Sequence, residues 1–179
     1  MQGASEAYPS VRRAFERAAT PQTSPAVDFK QPVKGQPMKL FLSANILFTA
    51  AYSEQGISRT LFHLAGAGRC SLVTSVYAAD EARRNLTVKA PTALPKFGKL
   101  LEAAAIVREP APAVLARMKQ LPLAEKDAPI MAAAVEFGAD ILVTGDRRDF
   151  GHLFGLEVEG VLVLNPADTL DRVISEFKW

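Results

Sequence analysis

The chain has 179 residues, which favours a single domain, and its 49% hydrophobic and 22% charged residues are typical of a globular protein with its own core. A formal net charge of +2 excludes a protein that is basic throughout, and a single cysteine excludes an internal disulfide framework. Because no apolar run approaches the ~20 residues of a membrane span and no signal-peptide pattern is visible, we expect a cytoplasmic protein without membrane association.

The first 37 residues differ in composition and hydrophobic pattern from the rest of the chain. Residues 8–20 contain a short helical pattern, with Val11, Phe15 and Ala18 on one face. A polar stretch without an apolar period follows, and it is interrupted by Pro21, Pro25, Pro32, Gly35 and Pro37. Such a stretch is typical of a linker. We therefore predict an N-terminal extension over residues 1–37 and a globular domain over residues 38–179.

From Met38 onwards, short apolar runs alternate with helical patterns. The apolar runs predict five strands, at residues 40–42, 70–73, 105–107, 141–143 and 161–164. The helical patterns cover residues 45–52, 57–67, 75–89, 95–104, 112–119, 126–137 and 166–177. Such alternation favours a parallel sheet covered on both faces, joined by right-handed crossovers. The prediction is an α/β fold, a three-layer α/β/α sandwich with a five-stranded, mainly parallel sheet.

Polar and acidic residues gather at one predicted edge of this sheet. In open α/β sheets, sites form beyond the carboxyl ends of the strands. The candidates there come from four segments: Ser43 and Asn45, then Glu81, then Asp127, then Thr144, Asp146 and Asp149. No cysteine or histidine joins them, and oxygen-only ligands suit a hard cation, Mg²⁺ or Mn²⁺, rather than zinc. Such a cation can activate water and stabilise charge on a phosphoryl oxygen.

Each candidate also has a purely structural interpretation. Asn45 could cap a helix, and Asp127 could complement a helix dipole. Glu81 could belong to a solvated helical face, and Asp146 could be an ordinary turn residue after a glycine. The joint placement at one edge of the sheet favours the functional interpretation over four independent structural ones.

These segments resemble the PIN-domain nucleases, a family in which many bacterial members are the toxins of VapC-type toxin–antitoxin pairs. Four pieces carry the resemblance: Leu-Ser-Ala-Asn at residues 42–45, Glu81, Asp127 within Lys-Asp-Ala-Pro, and Thr-Gly-Asp-Arg-Arg-Asp-Phe at residues 144–150. It covers nearly all of residues 38–179. Residues 139–146 are its most specific part, whereas Asp127 alone would be a weak signal.

The resemblance implies cleavage of single-stranded RNA with one or two divalent cations, Mg²⁺ or Mn²⁺, held by acidic side chains. Glu81, Asp127 and Asp146 match the family's acidic positions. Asn45 and Thr144 match supporting positions that hydrogen-bond the acids, and Asp149 is a further acid close to them. The resemblance also implies a homodimer and, for members that are toxins, an antitoxin protein as partner.

The family places an aspartate where this chain has Ser43. A hydroxyl is a neutral and weak ligand, so the site loses one negative charge, and metal affinity depends on the charge of the ligands. Two cations about 3.5–4 Å apart would be harder to hold. We therefore expect reduced or absent catalysis by this chain. Two origins stay open for Ser43: a designed substitution that silences a nuclease, or a natural loss.

Four arginines lie in the same segments as the acids: Arg83, Arg84, Arg147 and Arg148. Beside an acidic metal site, they would bind the phosphates of the RNA backbone and make RNA binding sensitive to salt. The alternative is that they pair with acids nearby on the surface, and the sequence favours neither interpretation.

Three functions are compatible with the sequence. The first is a metal-dependent endoribonuclease. The second is a non-catalytic RNA-binding or regulatory module that kept the fold and lost the metal. The third is a protein-interaction domain that binds an antitoxin segment. Binding of Mn²⁺ distinguishes the first from the second, and co-purification with a small, partly disordered protein would favour the third.

Overall fold

A computed structural model describes residues 35–177, so the helix predicted within residues 8–20 and most of the predicted linker lie outside the described residues. Strands and helices alternate over the described range. The strands are β1 (Met38–Leu42), β2 (Cys70–Ser75), β3 (Ala104–Val107), β4 (Ile141–Val143), β5 (Glu157–Val158) and β6 (Val161–Leu164). The α-helices are α1 (Ala44–Tyr52), α2 (Ile57–Gly66), α3 (Val76–Lys89), α4 (Leu94–Leu101), α5 (Pro112–Lys119), α6 (Ala128–Glu136), α7 (Arg147–Phe150) and α8 (Pro166–Ser175).

The six strands form one sheet in the order β3-β2-β1-β4-β6-β5. All pairs are parallel except β5 with β6, which is antiparallel. The chain leaves β1 towards β2 on one side and returns to β4 on the other. The gap between the carboxyl ends of β1 and β4 is thus a topological switch point, where open α/β sheets form their clefts.

The predicted fold class is confirmed: the sheet is mainly parallel and helices cover both of its faces. All five predicted strands are present. The structure adds a sixth strand, the two-residue β5, which is too short to show a hydrophobic period. A tight turn joins β5 to β6, and both of its central residues, Glu159 and Gly160, have positive φ angles of 46° and 84°. This conformation suits the twist of a two-residue hairpin.

The core consists of two apolar layers, one on each face of the sheet. Leu40 and Leu42 face the layer formed with α1, α2, α3, α4 and α8. Phe41, which points the opposite way, faces the layer formed with α5, α6 and α7. All three side chains are fully buried, as expected for a central parallel strand. This packing fixes the end of β1, and therefore the position of Ser43.

One helix boundary and one additional short helix near the sheet edge differ from the sequence prediction. The helix predicted over residues 126–137 begins only at Ala128, because Asp127 occupies the N-cap position before it. It ends before Gly138, whose φ of +63° confirms the predicted glycine at this helix end. The short helix α7 was not predicted. None of the helices in the described range is long and apolar enough to span a membrane.

Candidate functional site

A cleft of about 170 Å³ opens at the switch point between β1 and β4. It is smaller than the roughly 300–1,000 Å³ of typical small-molecule pockets, and therefore suits an ion and a phosphate group better than a fully enclosed substrate. Six of the seven predicted acidic and supporting residues line it: Ser43, Asn45, Glu81, Asp127, Thr144 and Asp146. Asn45 and Thr144, which are 99 positions apart in the chain, thus share one cleft, while Asp149 lies outside its lining.

A hydrogen-bond network centred on Asn45 joins the ends of β1 and β4. Asn45 Oδ1 accepts from Ser43 Oγ and from the backbone N–H of Gly145, both at 3.0 Å. Asn45 Nδ2 donates to Thr144 Oγ1 at 3.2 Å, and this hydroxyl also accepts from the N–H of Asp146 at 3.2 Å. The network orients Ser43 and Asp146 relative to each other. Asn45 is not the helix cap, because the N-cap residue of α1 is Ser43.

Ser43 brings a hydroxyl, not a charge, to the centre of the cleft. It is only 5% exposed and makes no side-chain capping bond to α1. Its proton is donated to Asn45, so the lone pairs of its oxygen stay available for a cation or for water. The residue can therefore act as a neutral ligand at most.

Asp127 carries the least satisfied polar group of the site. It is 8% exposed, and its Oδ2 atom has no hydrogen-bond partner among the described residues. Although it occupies the N-cap position of α6, its side chain makes no capping bond. Burial raises the pKa of Asp127 to about 6. The ammonium of Lys126 opposes this rise in pKa, whereas nearby carboxylates add to it, those of Asp149, Asp146 and Glu81.

Asp146 has a structural role alongside its place in the cleft. Its Oδ1 atom accepts hydrogen bonds from the backbone N–H groups of Arg148 and Asp149, both at 3.0 Å. These bonds cap the four-residue helix α7, so the turn interpretation of Asp146 holds for this oxygen. The same bonds fix the carboxyl group at the rim of the cleft.

Glu81 and its neighbour Asp80 have different environments on α3. Asp80, whose side chain is 46% exposed, pairs with Arg83 at 2.6 Å, which is the surface ion pair considered for this helix. Glu81 is half-buried, lines the cleft and forms no ion pair with any described residue. The solvated-face interpretation therefore describes Asp80 and not Glu81.

The basic side chains of the cleft are not the predicted arginines. Lys89 and Lys126 line the cleft, whereas Arg83, Arg84, Arg147 and Arg148 are exposed outside its lining. Sequence reasoning missed both lysines. The signal for Lys89 was its position on α3, eight residues after Glu81 and hence on the same helical face.

Lys126 and Asp149 form an ion pair across the rim, with Nζ and Oδ2 at 2.7 Å. The hydrogen bond from Lys126 lowers the pKa of Asp149, and the pair raises the pKa of Lys126. Asp149 therefore holds a lysine in place and does not face the cleft.

The chemistry of the cleft fits a hard divalent cation. Three carboxylates and a hydroxyl supply only oxygen donors, which Mg²⁺ and Mn²⁺ prefer. A buried carboxylate oxygen without a partner is costly unless a cation or a water compensates it. Within residues 35–177, no three acidic, histidine or cysteine side chains are close enough together to form a ready-made metal site. The oxygen atoms of the cleft are therefore suitable ligands for such a cation, but the acidic side chains are not close enough together to form its complete coordination sphere.

Comparison with known proteins gives matches at the level of family and fold. Residues 39–148, more than half of the chain, match the family model of the PIN domain. No curated protein sequence matches the chain. The fold is similar to VapBC2 from Rickettsia felis bound to a DNA fragment from their promoter, at 19% identity over 72% of this chain and 98% of that chain, with a TM-score of 0.55. It is also similar to PAE2754 from Pyrobaculum aerophilum, at 18% identity over 78% of this chain and 99% of that chain, with a TM-score of 0.54.

Proposed function

Because the chain belongs to the PIN-domain family, we propose that it is a divalent-metal-dependent endoribonuclease for single-stranded RNA, with activity reduced by Ser43. One observation carries this proposal. Glu81, Asp127 and Asp146, from three separate segments, line a single cleft at the switch point of the sheet. A cluster of acids at this location is expected for a nuclease, and the buried, unpartnered carboxylate oxygen of Asp127 costs stability instead of adding to it.

Each side chain has a distinct role in this proposal. Glu81, Asp127 and Asp146 would hold Mg²⁺ or Mn²⁺, which when bound lowers the pKa of water and stabilises charge on a phosphoryl oxygen. Since the pKa of Asp127 is about 6, this carboxyl group is mostly ionised at neutral pH and is available to a cation. Asn45 and Thr144 orient Ser43 and Asp146 through the network described above.

Basic side chains provide the contacts with RNA. Lys89 and Lys126 line the cleft next to the acids and would contact phosphates of the RNA backbone. For Arg84, Arg147 and Arg148, which are exposed nearby, a backbone contact stays a prediction. Arg83 is engaged by Asp80, so its predicted contact with RNA requires that this ion pair opens.

We extend the proposal to partners. The similar VapBC2 structure contains a complex bound to promoter DNA, which supports an antitoxin protein as a partner of this chain as well. A homodimer and a cytoplasmic location belong to the same proposal.

The test is a cleavage assay on a panel of single-stranded RNAs in Mn²⁺, with a chelator control. Ser43→Asp restores the missing charge. Ser43→Asn is the matched control, because asparagine has nearly the size of aspartate but carries no charge. We expect Ser43→Asp to raise cleavage at least about tenfold, since losing even an outer partner of a metal ligand costs 10–100-fold. Equal rates for the two variants would contradict the proposal.

A second candidate function is an RNA-binding module without catalysis. Ser43 and the absence, over the described residues, of three acids close enough for a metal site favour it. It predicts no heat of Mn²⁺ binding in calorimetry and RNA binding that persists in chelator. A third candidate, a protein-interaction domain, predicts a co-purifying partner and no affinity for RNA.

A further inference from the structure

We propose that the outer part of the cleft is a nucleotide subsite, in which Phe48 and Tyr52 form a stacking platform for a base and Lys89 pairs with a backbone phosphate. The subsite rests on the proposed function for its ligand, single-stranded RNA. Its residues are distinct from the acids at the sheet edge.

Two rows of side chains lead from the acidic end of the cleft along neighbouring helices. On α1, the row is Asn45, Phe48 with Thr49, and Tyr52. On α3, the row is Glu81, Asn85 and Lys89. The spacing of three or four residues places each row on one helical face. All of these residues except Tyr52 line the cleft, and Tyr52 continues its wall from Phe48 to the surface.

The two aromatic rings are stacked on each other, so the exposed Tyr52 ring is the outer surface of the pair. The ring centroids of Phe48 and Tyr52 are 5.9 Å apart, and their planes are within 15° of parallel. Phe48 is partly buried, whereas Tyr52 is 66% exposed. The exposed Tyr52 ring beside the cleft offers a surface on which a base can stack, because every base has a flat face.

Lys89 supplies a positive charge next to this platform. Its Nζ atom lies 6.0 Å from the centroid of the Phe48 ring. Among the described residues, Lys89 has no carboxylate within ion-pair distance, whereas Lys126 is paired with Asp149 and Lys96 with Glu54. An exposed, unpaired cation beside aromatic faces suits the alternating bases and phosphates of a single strand.

The subsite is tested by equilibrium binding of a short 2′-O-methyl RNA to the full chain in chelator, where neither metal nor cleavage contributes. Tyr52→Ala should weaken binding about 5- to 100-fold through lost stacking, and Tyr52→Phe should retain it. Lys89→Ala should reduce the slope of log affinity against log salt by about 0.7, the value for one phosphate of a single strand. Val88→Ala, at an 82% exposed neighbouring position on α3, is the matched control and should leave binding unchanged.

An oligonucleotide with an unmodified backbone and abasic sugars separates the two contacts. The effect of Tyr52→Ala should vanish on this ligand, whereas the effect of Lys89→Ala should persist. The proposal is overturned if the unmodified protein binds no RNA, or if both alanine variants bind RNA as tightly as Val88→Ala does. It is also overturned if the alanine variants keep their affinity for RNA and lose only the binding of a co-purifying protein. If Tyr52 and Lys89 govern binding but Ser43→Asp does not cleave RNA, the subsite is supported and the nuclease function fails.

Discussion

Replacing Asp127 with asparagine should make the protein more stable at pH 8. The carboxylate of Asp127 is buried, and its Oδ2 atom has no hydrogen-bond partner among the described residues. Ionised Asp127 therefore lowers the free energy of unfolding, as expected for a group that serves binding and not stability. Asparagine has nearly the same shape and removes the charge.

The pKa of Asp127 sets an upper limit to this gain. A pKa of about 6 in the folded protein, against an ordinary value of 3.8, corresponds to about 3 kcal/mol of unfolding free energy lost on ionisation. The buried amide of asparagine also lacks partners, so we expect a net gain of about 1–2 kcal/mol. Because the folded pKa is raised, the folded protein binds more protons between the two values. The loss of unfolding free energy therefore reaches its full size above about pH 6 and disappears as the pH falls towards 4.

Urea unfolding in chelator at pH 8 and at pH 4.5 measures this difference. Asp140→Asn is the matched control, because Asp140 Oδ2 accepts a 2.7 Å hydrogen bond from the N–H of Lys39. The control should lose about 1 kcal/mol at pH 8, since a charge-assisted bond becomes a neutral one. The reasoning is refuted if Asp127→Asn is no more stable than the unmodified protein at pH 8, or if its gain is the same at both pH values.

Three further variants test other parts of the structure. Asn45→Ala should lower the free energy of unfolding by about 2–4 kcal/mol in urea, because three hydrogen bonds are lost, two of them between the ends of β1 and β4; a loss below about 1 kcal/mol would contradict the network. Lys126→Ala should change stability by less than about 1 kcal/mol but weaken RNA binding at low salt, and unchanged binding would remove Lys126 from the RNA contact. Gly138→Ala should cost about 1 kcal/mol of thermal stability, because its φ is +63°, and a neutral effect would contradict the helix end.

The strands that the sequence predicts well are those whose burial on both faces leaves a continuous apolar run. Residues 40–42 and 161–164 are apolar because a central parallel strand is covered on both faces. The two-residue β5 and the four-residue α7 are too short for a hydrophobic period. They form because a turn and the Asp146 carboxylate fix them, and such constraints are hard to recognise from local composition.

Some residues of the candidate site could likewise be predicted from the sequence, and others could not. The sheet-edge rule locates Ser43 and Asp146, because Ser43 directly follows β1 and Asp146 lies in the loop just after β4. The partnership of Lys126 with Asp149 depends on how the segment before α6 lies beside α7, which no local pattern reports. The position of Lys89 depends on which face of α3 is turned towards α1. The sequence thus indicated the acids that line the cleft but not the two lysines beside them, and contact of the four arginines with RNA stays a prediction.

Manganese-dependent cleavage by Ser43→Asp, compared with Ser43→Asp combined with Asp127→Asn, tests the central claim most directly. The comparison also separates the protein's own activity from that of a contaminating nuclease, which no substitution in this chain can affect. We predict that Ser43→Asp cleaves single-stranded RNA, and that the added Asp127→Asn returns the rate to the level measured in chelator. Equal cleavage by both proteins, or no cleavage by either, would contradict the assignment of this cleft as a nuclease site.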